Sequence, residues 1–226
     1  VTQTPDGPQA LAAIGPVSRE TLDRFDAFVR LLRQWQSVKN LVGPATLHEV
    51  WHRHIADSLQ LIRYGPLHRR WVDIGSGAGF PGLVMAIAMR DPLLSPQGTG
   101  HVHLIEPNAR KAAFLQEASR VTGTATTVHA KRFEEVLPTL PADVAVVTAR
   151  AVTRLAGLCG MVAPLVDKGA VALFLKGQDV DLELTEATRY WKITVERWPS
   201  ITQAGAAVLR ISSLRRVPPA QGDHIA

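Results

Sequence analysis

Cysteine is almost missing from this chain. Cys159 is the only one in 226 residues. No disulfide framework can form, and a cysteine-built zinc site is not expected. Cys159 itself reads as a small buried apolar residue. Aromatic residues are scarce, at 6%. No apolar run reaches the roughly 18 residues that span a membrane. The opening stretch, "VTQTPDGPQALAAIGPVSRE", has neither the basic start nor the apolar block of a secretory signal. These absences lead us to expect a cytoplasmic protein with no membrane partner. A long run of one charge is missing too. Lys and Arg outnumber Asp and Glu by 25 to 20, but they come in small groups such as Arg69–Arg70, Arg110–Lys111, Lys131–Arg132 and Arg215–Arg216. Solvated surface accounts for most of them singly. Together they lean towards a polyanionic partner.

What is present is a large apolar fraction, 46%, enough for a full core. Residues 1–17 hold several Pro and Gly and little periodicity, and are expected as a flexible N-terminal tail. Ser18 is placed to cap a helix in which Leu22, Phe25, Val29 and Leu32 follow a 3.6-residue period. "NLVGP" interrupts that pattern, with Asn40 as a loop or cap residue. A second helix is expected from about Leu47 to Arg63. Residues 18–65 would thus form a helical N-terminal cap, with Trp35 and Trp51 packing it.

From Trp71 the rhythm changes. Strand-like runs ("RWVDI", "HVHLIEP", "TATTVHA", "ADVAVVTAR", "GAVALFL") alternate with helix-like ones, which implies parallel strands with helices on both faces. The last two runs, "ITVERW" and "AAVLRIS", leave no room for a helix between them and should close the sheet as an antiparallel edge hairpin. The expected fold is α/β and Rossmann-like. It has a seven-stranded, mostly parallel sheet over residues 66–216 and a C-terminal tail from 217 to 226.

The chemistry centres on "WVDIGSGAGFPGLVMAI". A strand, a glycine bend and a helix place backbone N–H groups and a helix N-terminus at a strand's carboxyl end, where a nucleotide-like ligand can touch the main chain. Pro81 suits the first turn, where its missing N–H is no loss. A Walker A loop needs Gly-Lys-Ser/Thr here, and the chain has Gly79-Phe80-Pro81. Gly77 to Gly82 also spells a dinucleotide fingerprint. The frame Asp73-x-Gly75-x-Gly77-x-Gly79 puts an acid before the bend, which suits a cation such as the amino and sulfonium groups of S-adenosylmethionine. Glu106, ending the next strand, can accept bonds from ribose hydroxyls in that ligand or in NAD. Asp73 and the edge hairpin favour S-adenosylmethionine.

"RHIADSL", "DIGSGAGFPG", "RFEE", "TARAVTRL" and "LFLKGQ" occur in order, and over residues 18–213 the chain resembles the small-subunit ribosomal RNA guanine-N7 methyltransferases, RsmG, also called glucose-inhibited division protein B. The resemblance implies a class I S-adenosylmethionine-dependent methyltransferase fold. It implies methyl transfer to N7 of one guanine in 16S rRNA, with the rRNA or the small ribosomal subunit as partner. By matching motif it assigns Gly75 and Phe80 to the cofactor loop, Phe133 and Glu134 to the adenine slot, and Arg150 to the cofactor site. The loop "DPLLSPQGTG" is longer than the family pattern.

N7 of guanine already carries an in-plane lone pair, so its methylation removes no proton and needs no general base. We therefore expect positioning catalysis and no catalytic triad. His54, Asp57 and Ser58 fall at i, i+3 and i+4, on one helix face. They either meet substrate or orient the site from behind, for instance through an Arg53–Asp57 pair. Arg150 needs an anionic partner, which could be the cofactor carboxylate or rRNA. Lys176 is expected at the pocket edge, on a base or phosphate. Arg69, Arg70, Lys131 and Arg132 are expected to flank the pocket. No metal site is expected, and nothing demands more than a monomer. The other readings are a same-fold methyltransferase acting on a small molecule or protein, and a non-catalytic RNA-binding ribosome-assembly factor. An NAD oxidoreductase lacks a tyrosine–lysine pair and is the weakest.

Overall fold

The computed structural model describes residues 6–36, 41 and 43–218. Helix α1 (Arg19–Gln36) starts where expected: the Ser18 hydroxyl accepts the Thr21 N–H at 3.3 Å. Its buried stripe is Thr21, Phe25, Phe28, Val29 and Leu32, a 3.6-period face. Asn40 lies outside the described residues.

The expected second helix is one continuous helical segment but not one kind of helix. A 3-10 stretch (Pro44–Glu49) leads into a π turn (Trp51–Ala56), a short α turn α2 (Asp57–Leu59) and another 3-10 turn (Gln60–Arg63). π turns are rare and often sit at functional sites.

The seven strands are β1 (Arg70–Ile74), β2 (His101–Ile105), β3 (Thr126–His129), β4 (Val144–Ala149), β5 (Val171–Lys176), β6 (Trp191–Pro199) and β7 (Ala207–Arg216). They lie in the order β3-β2-β1-β4-β5-β7-β6. β1 to β5 are mutually parallel; β7 runs antiparallel to β5 and to β6. The edge hairpin is as expected. Helices α3 (Gly82–Ala88) and α4 (Ala109–Thr122) pack with α1 on one face. The other face carries α5 (Phe133–Val136), α6 (Leu155–Val166) and α7 (Val180–Ala187).

β1 shows how side-chain alternation divides the two cores. Trp71 enters the core on the cap side, and Val72 and Ile74 enter the opposite one. The cap has no core of its own. Phe25, Phe28, Trp51 and Ile55 share one cluster with Trp71, Leu83 and Phe114. Trp35 packs edge-on against Phe114 and Trp51 against Phe25, as expected for cap-packing tryptophans.

The first residues correct an expectation. Residues 6–17 are docked, not loose. A 3-10 turn (Pro8–Leu11) points Leu11 into the cap core, and Ile14 follows it. The Asp6 carboxylate accepts the Trp51 and His52 N–H groups at 2.9 and 3.0 Å, and Arg63 donates to the Ala13 carbonyl at 2.7 Å. Pro and Gly here shape a turn, and two apolar side chains hold it down. At the other end, the Val217 N–H bonds the Tyr190 carbonyl; the rest of the expected C-terminal tail, from residue 219, lies outside the described residues.

The sheet order fixes where a ligand can sit. The chain winds from β1 outward to β2 and β3, then returns to start β4 on the other side of β1. That reversal opens a crevice beyond the carboxyl ends of β1 and β4.

Candidate active site

The glycine bend fills that crevice. Gly75, Gly77 and Gly79 take φ values of 66°, 54° and 93°, a region that side chains with a Cβ rarely enter. Gly82 is needed for a different reason: a Cβ there would lie 2.6 Å from the Asp73 side chain. The bend is tied to β2 by the Ser76 N–H, which donates to the Ile105 carbonyl at 3.0 Å.

Two carboxylates flank it. Glu106 is buried, and its oxygens accept the Gly77 and Asn108 N–H groups at 2.9 and 2.8 Å. Each oxygen keeps a lone pair for a further donor. Asp73 is fully buried. Its Oδ1 accepts the Thr148 hydroxyl at 2.6 Å, and its Oδ2 has no hydrogen-bond partner among the described residues. Burial pushes its pKa up to about 6, against the polar groups and the Arg150 charge that favour ionisation. An unpaired buried carboxylate oxygen is costly. Here that oxygen faces the start of α3, 2.6 Å from where a Gly82 Cβ would lie, beside the Gly82 backbone.

Arg150 follows β4 and joins three elements. Its guanidinium bonds His54 Nδ1 at 3.0 Å, approaches the Asp57 carboxylate at 3.5 Å, and lies over the Phe80 ring at 5.1 Å from the centroid. His54 stacks on Phe80 at 4.9 Å. Arginine can only donate, so His54 Nδ1 must accept and its proton sits on Nε2. Burial first, then the Arg150 and Arg53 charges, lower the His54 pKa to about 3, and the ring is neutral.

The anionic partner expected for Arg150 is therefore inside the chain: it is Asp57. The alternative Arg53–Asp57 pair does not form, and Arg53 faces Glu49 at 3.5 Å. Asp57 also accepts the Thr202 hydroxyl at 2.7 Å and the Gln60 amide at 2.9 Å, which ties the cap to the β6–β7 loop. Ser58 does not share this face. It is fully buried and its hydroxyl has no partner among the described residues. The π turn just before it changes the angular step that α spacing assumes.

A cavity of about 820 Å³ opens beside this junction, between the cap, the ends of β4 and β5 and the β6–β7 loop. His54, Asp57, Arg150, Val152, Lys176 and Glu183 are in its wall. The glycine bend is not. The two meet at Val152, whose Cγ2 stands 2.7 Å from where a Gly75 Cβ would be. Ala151, beside it, holds a φ of 54°, a strained value for a residue with a side chain. Lys176 is not a free cation: its ammonium pairs with Glu183 at 2.6 Å.

The structure thus joins Asp73, Gly75, Gly77 and Glu106 in one crevice, and His54, Asp57, Arg150 and Lys176 in an adjoining cavity. Phe80 follows the bend, but its ring is buried in the cap core. Phe133 is buried in the opposite core and Glu134 is exposed, both just after β3. Arg69 and Arg70 do not flank the pocket. Arg70 opens β1 and Arg69 precedes it, about 13 Å or more from the strand's carboxyl end at 3.3 Å per residue, and Arg70 pairs with Asp143 there. Sequence reading missed Glu183, Val152, Thr148 and Thr202. Thr148 and Val152 lie within "TARAVTRL" but only Arg150 stood out there, and Glu183 and Thr202 belong to no motif and are brought here by the fold alone. Among the described residues no helix is long and apolar enough to cross a membrane, and no cluster of metal-ligating side chains occurs.

The sequence pattern of the rRNA small subunit methyltransferase G family matches residues 21–210. A protein of Rhodopseudomonas palustris described as ribosomal RNA small subunit methyltransferase G is 50% identical over 92% of this chain and 87% of its own. One of the same description from Methylorubrum extorquens is 50% identical over 90% of this chain and 93% of its own. Among solved structures, a candidate transferase of Pyrococcus horikoshii shares the fold at a TM-score of 0.51 and 13% identity, over 77% of this chain and 64% of that one.

Proposed function

The chain belongs to the rRNA small subunit methyltransferase G family, and from that premise we propose that it transfers a methyl group from S-adenosylmethionine to N7 of one guanine in 16S rRNA. The observation that carries this reading is the glycine bend with two buried acids packed, through Val152, against the wall of a separate cavity of nucleotide size.

The crevice residues fit the cofactor. The buried Asp73 carboxylate suits a cationic group, and the spare lone pairs of Glu106 suit a ribose. Gly75 and Gly77 leave the backbone open to contact, and the resemblance would give Phe133 and Glu134, which follow β3, to the adenine. When bound, S-adenosylmethionine supplies the methyl as an electrophilic carbon on sulfur. The N7 lone pair would form the new bond as the methyl–sulfur pair left with sulfur, and the positive charge would pass to the guanine ring. No proton moves, so no side chain has to act as base.

The protein's own part is alignment and exclusion of water, which together account for up to roughly 7–11 kcal/mol in well-oriented model reactions. Arg150 is the hinge of that alignment. It is fixed by Asp57 and His54 from the cap and rests on Phe80 beside the bend. Asp57 and His54 thus act as positioning residues. With rRNA as substrate, the protein works in the cytoplasm as a monomer on the small ribosomal subunit.

The test is transfer of label from S-adenosylmethionine to small subunits that lack the native modification, followed by nucleoside identification. N7-methylguanosine is expected. Cofactor binding without labelled RNA would overturn the substrate assignment and leave the fold.

A further inference from the structure

Lys176 and Glu183 form one patch of the cavity wall. Lys176 ends β5, and Glu183 lies in the first turn of α7. Their side chains are only 10% and 15% exposed, and Nζ stands 2.6 Å from Oε2. Oε2 also accepts the Leu155 N–H at the start of α6, at 2.7 Å. Oε1 makes no hydrogen bond among the described residues. An ion pair this shielded loses much of its hydration, and its own attraction seldom repays that loss. Its remaining valences are the informative part. The ammonium has protons to spare, and Oε1 has both lone pairs.

The wall therefore offers a donor beside an acceptor. Guanine presents the complement, with O6 accepting next to N1–H donating. Adenine presents the reverse, with an amino group at position 6 and a bare N1. Unstacked bases are commonly read on that edge. We propose that Lys176 and Glu183 select the target base, Lys176 donating to O6 and Glu183 accepting from N1–H. This grip leaves N7, on the far side of O6, uncovered. The inference rests on the guanine-N7 reading above.

Glu183 also acts during the reaction. As N7 gains the methyl, positive charge spreads over the ring and N1–H becomes a stronger donor. A carboxylate on N1–H therefore holds the transition state more tightly than the ground state. The contact should govern kcat as well as KM.

Glu183→Gln tests this. The amide keeps an oxygen for the Leu155 N–H and turns its donor to the cavity. On small subunits lacking the modification, N7-methylguanosine formation should fall about 10- to 100-fold, the worth of one good base-edge contact, chiefly in kcat. S-adenosylmethionine affinity by calorimetry should not change; thermal melting should fall, because the shielded Lys176 ammonium loses its counter-charge, so kcat is read well below the variant's melting temperature. A second measurement uses the unaltered enzyme and subunits rebuilt with the target guanine replaced. Inosine keeps O6 and N1–H and should still be methylated; 2,6-diaminopurine keeps N7 but reverses that edge and should not be. Unchanged kcat in Glu183→Gln, or equal transfer to diaminopurine, overturns the selection role alone. Absence of N7-methylguanosine with the unaltered enzyme and natural subunits overturns the guanine reading, and this role with it.

Discussion

Val152 lies directly over Gly75, so that a methyl group added to the glycine would come within 2.7 Å of the valine Cγ2. The contact joins the bend after β1 to the loop after β4, across the point where the sheet reverses its winding. Gly75→Ala meets two penalties at once. Its φ of 66° costs an alanine roughly 1–2 kcal/mol, and its Cβ must push Val152 towards the cavity. We expect cofactor affinity to fall at least about tenfold, measured by calorimetry. Gly75→Ala with Val152→Ala should recover part of it, because the second change removes the clash and leaves only the backbone strain. Full recovery would mean that backbone strain contributes nothing.

Arg150 depends on Asp57. Both side chains are 18% exposed, so neither is fully hydrated, and the 3.5 Å separation is long for a strong pair. Removing one partner of a buried pair costs about 3–5 kcal/mol; the residual exposure and the long contact place Asp57→Ala nearer 1–3 kcal/mol. Urea unfolding would show it. The double change Asp57→Leu with Arg150→Met should regain most of that stability, since no charge is left unmatched. Methyl transfer should stay lost in the double variant if Arg150 aligns the site, and return with stability if it only packs.

How much of this site was legible in the sequence follows from how local each signal is. The bend was legible because three glycines and an acid within seven residues have a single structural meaning. The strand order was legible because alternating strands and helices admit few windings. The partner of Arg150 was not. Asp57 is 93 positions away, and an arginine at a strand end announces a need for an anion without saying whose. Ser58 was placed on the wrong face because the spacing rule assumes α geometry, and this segment winds partly as a π turn. Arg69 and Arg70 were assigned to the pocket by counting neighbours in sequence, whereas a strand carries its two ends to opposite sides of the sheet.

Leu11 measures whether the early residues matter. It is 2% exposed and packs in the cap core, beneath a turn anchored by Asp6 on the start of the π turn. Leu11→Ala should destabilise the protein by about 2–3 kcal/mol, the low end for a buried leucine, since a short turn can partly collapse into the gap. A loose tail would give a change within about 0.5 kcal/mol. Thermal or urea melting distinguishes the two.

Acid should weaken the fold through His103, far from the glycine bend in function but on the neighbouring strand. Its Nδ1 lies 3.0 Å from His129 Nε2, and its Nε2 is buried with no partner among the described residues. Burial first, then the nearby His101, His129 and Arg70 charges, lower its pKa from 6.5 to about 4, with only Asp143 pulling the other way. The folded protein thus keeps His103 neutral where the unfolded chain protonates it. Between pH 6.5 and about 4 the unfolded state binds more protons, so stability is full above 6.5 and declines as pH falls through that window. At 1.36 kcal/mol per pH unit the loss from this one residue reaches about 3 kcal/mol. His54 adds to it in the same direction and to lower pH. His103→Phe keeps the ring stacked on His129 and removes the titration. Unfolding free energies measured between pH 7.5 and 4.5 should decline less steeply in that variant, and an identical slope would assign the acid sensitivity to other groups.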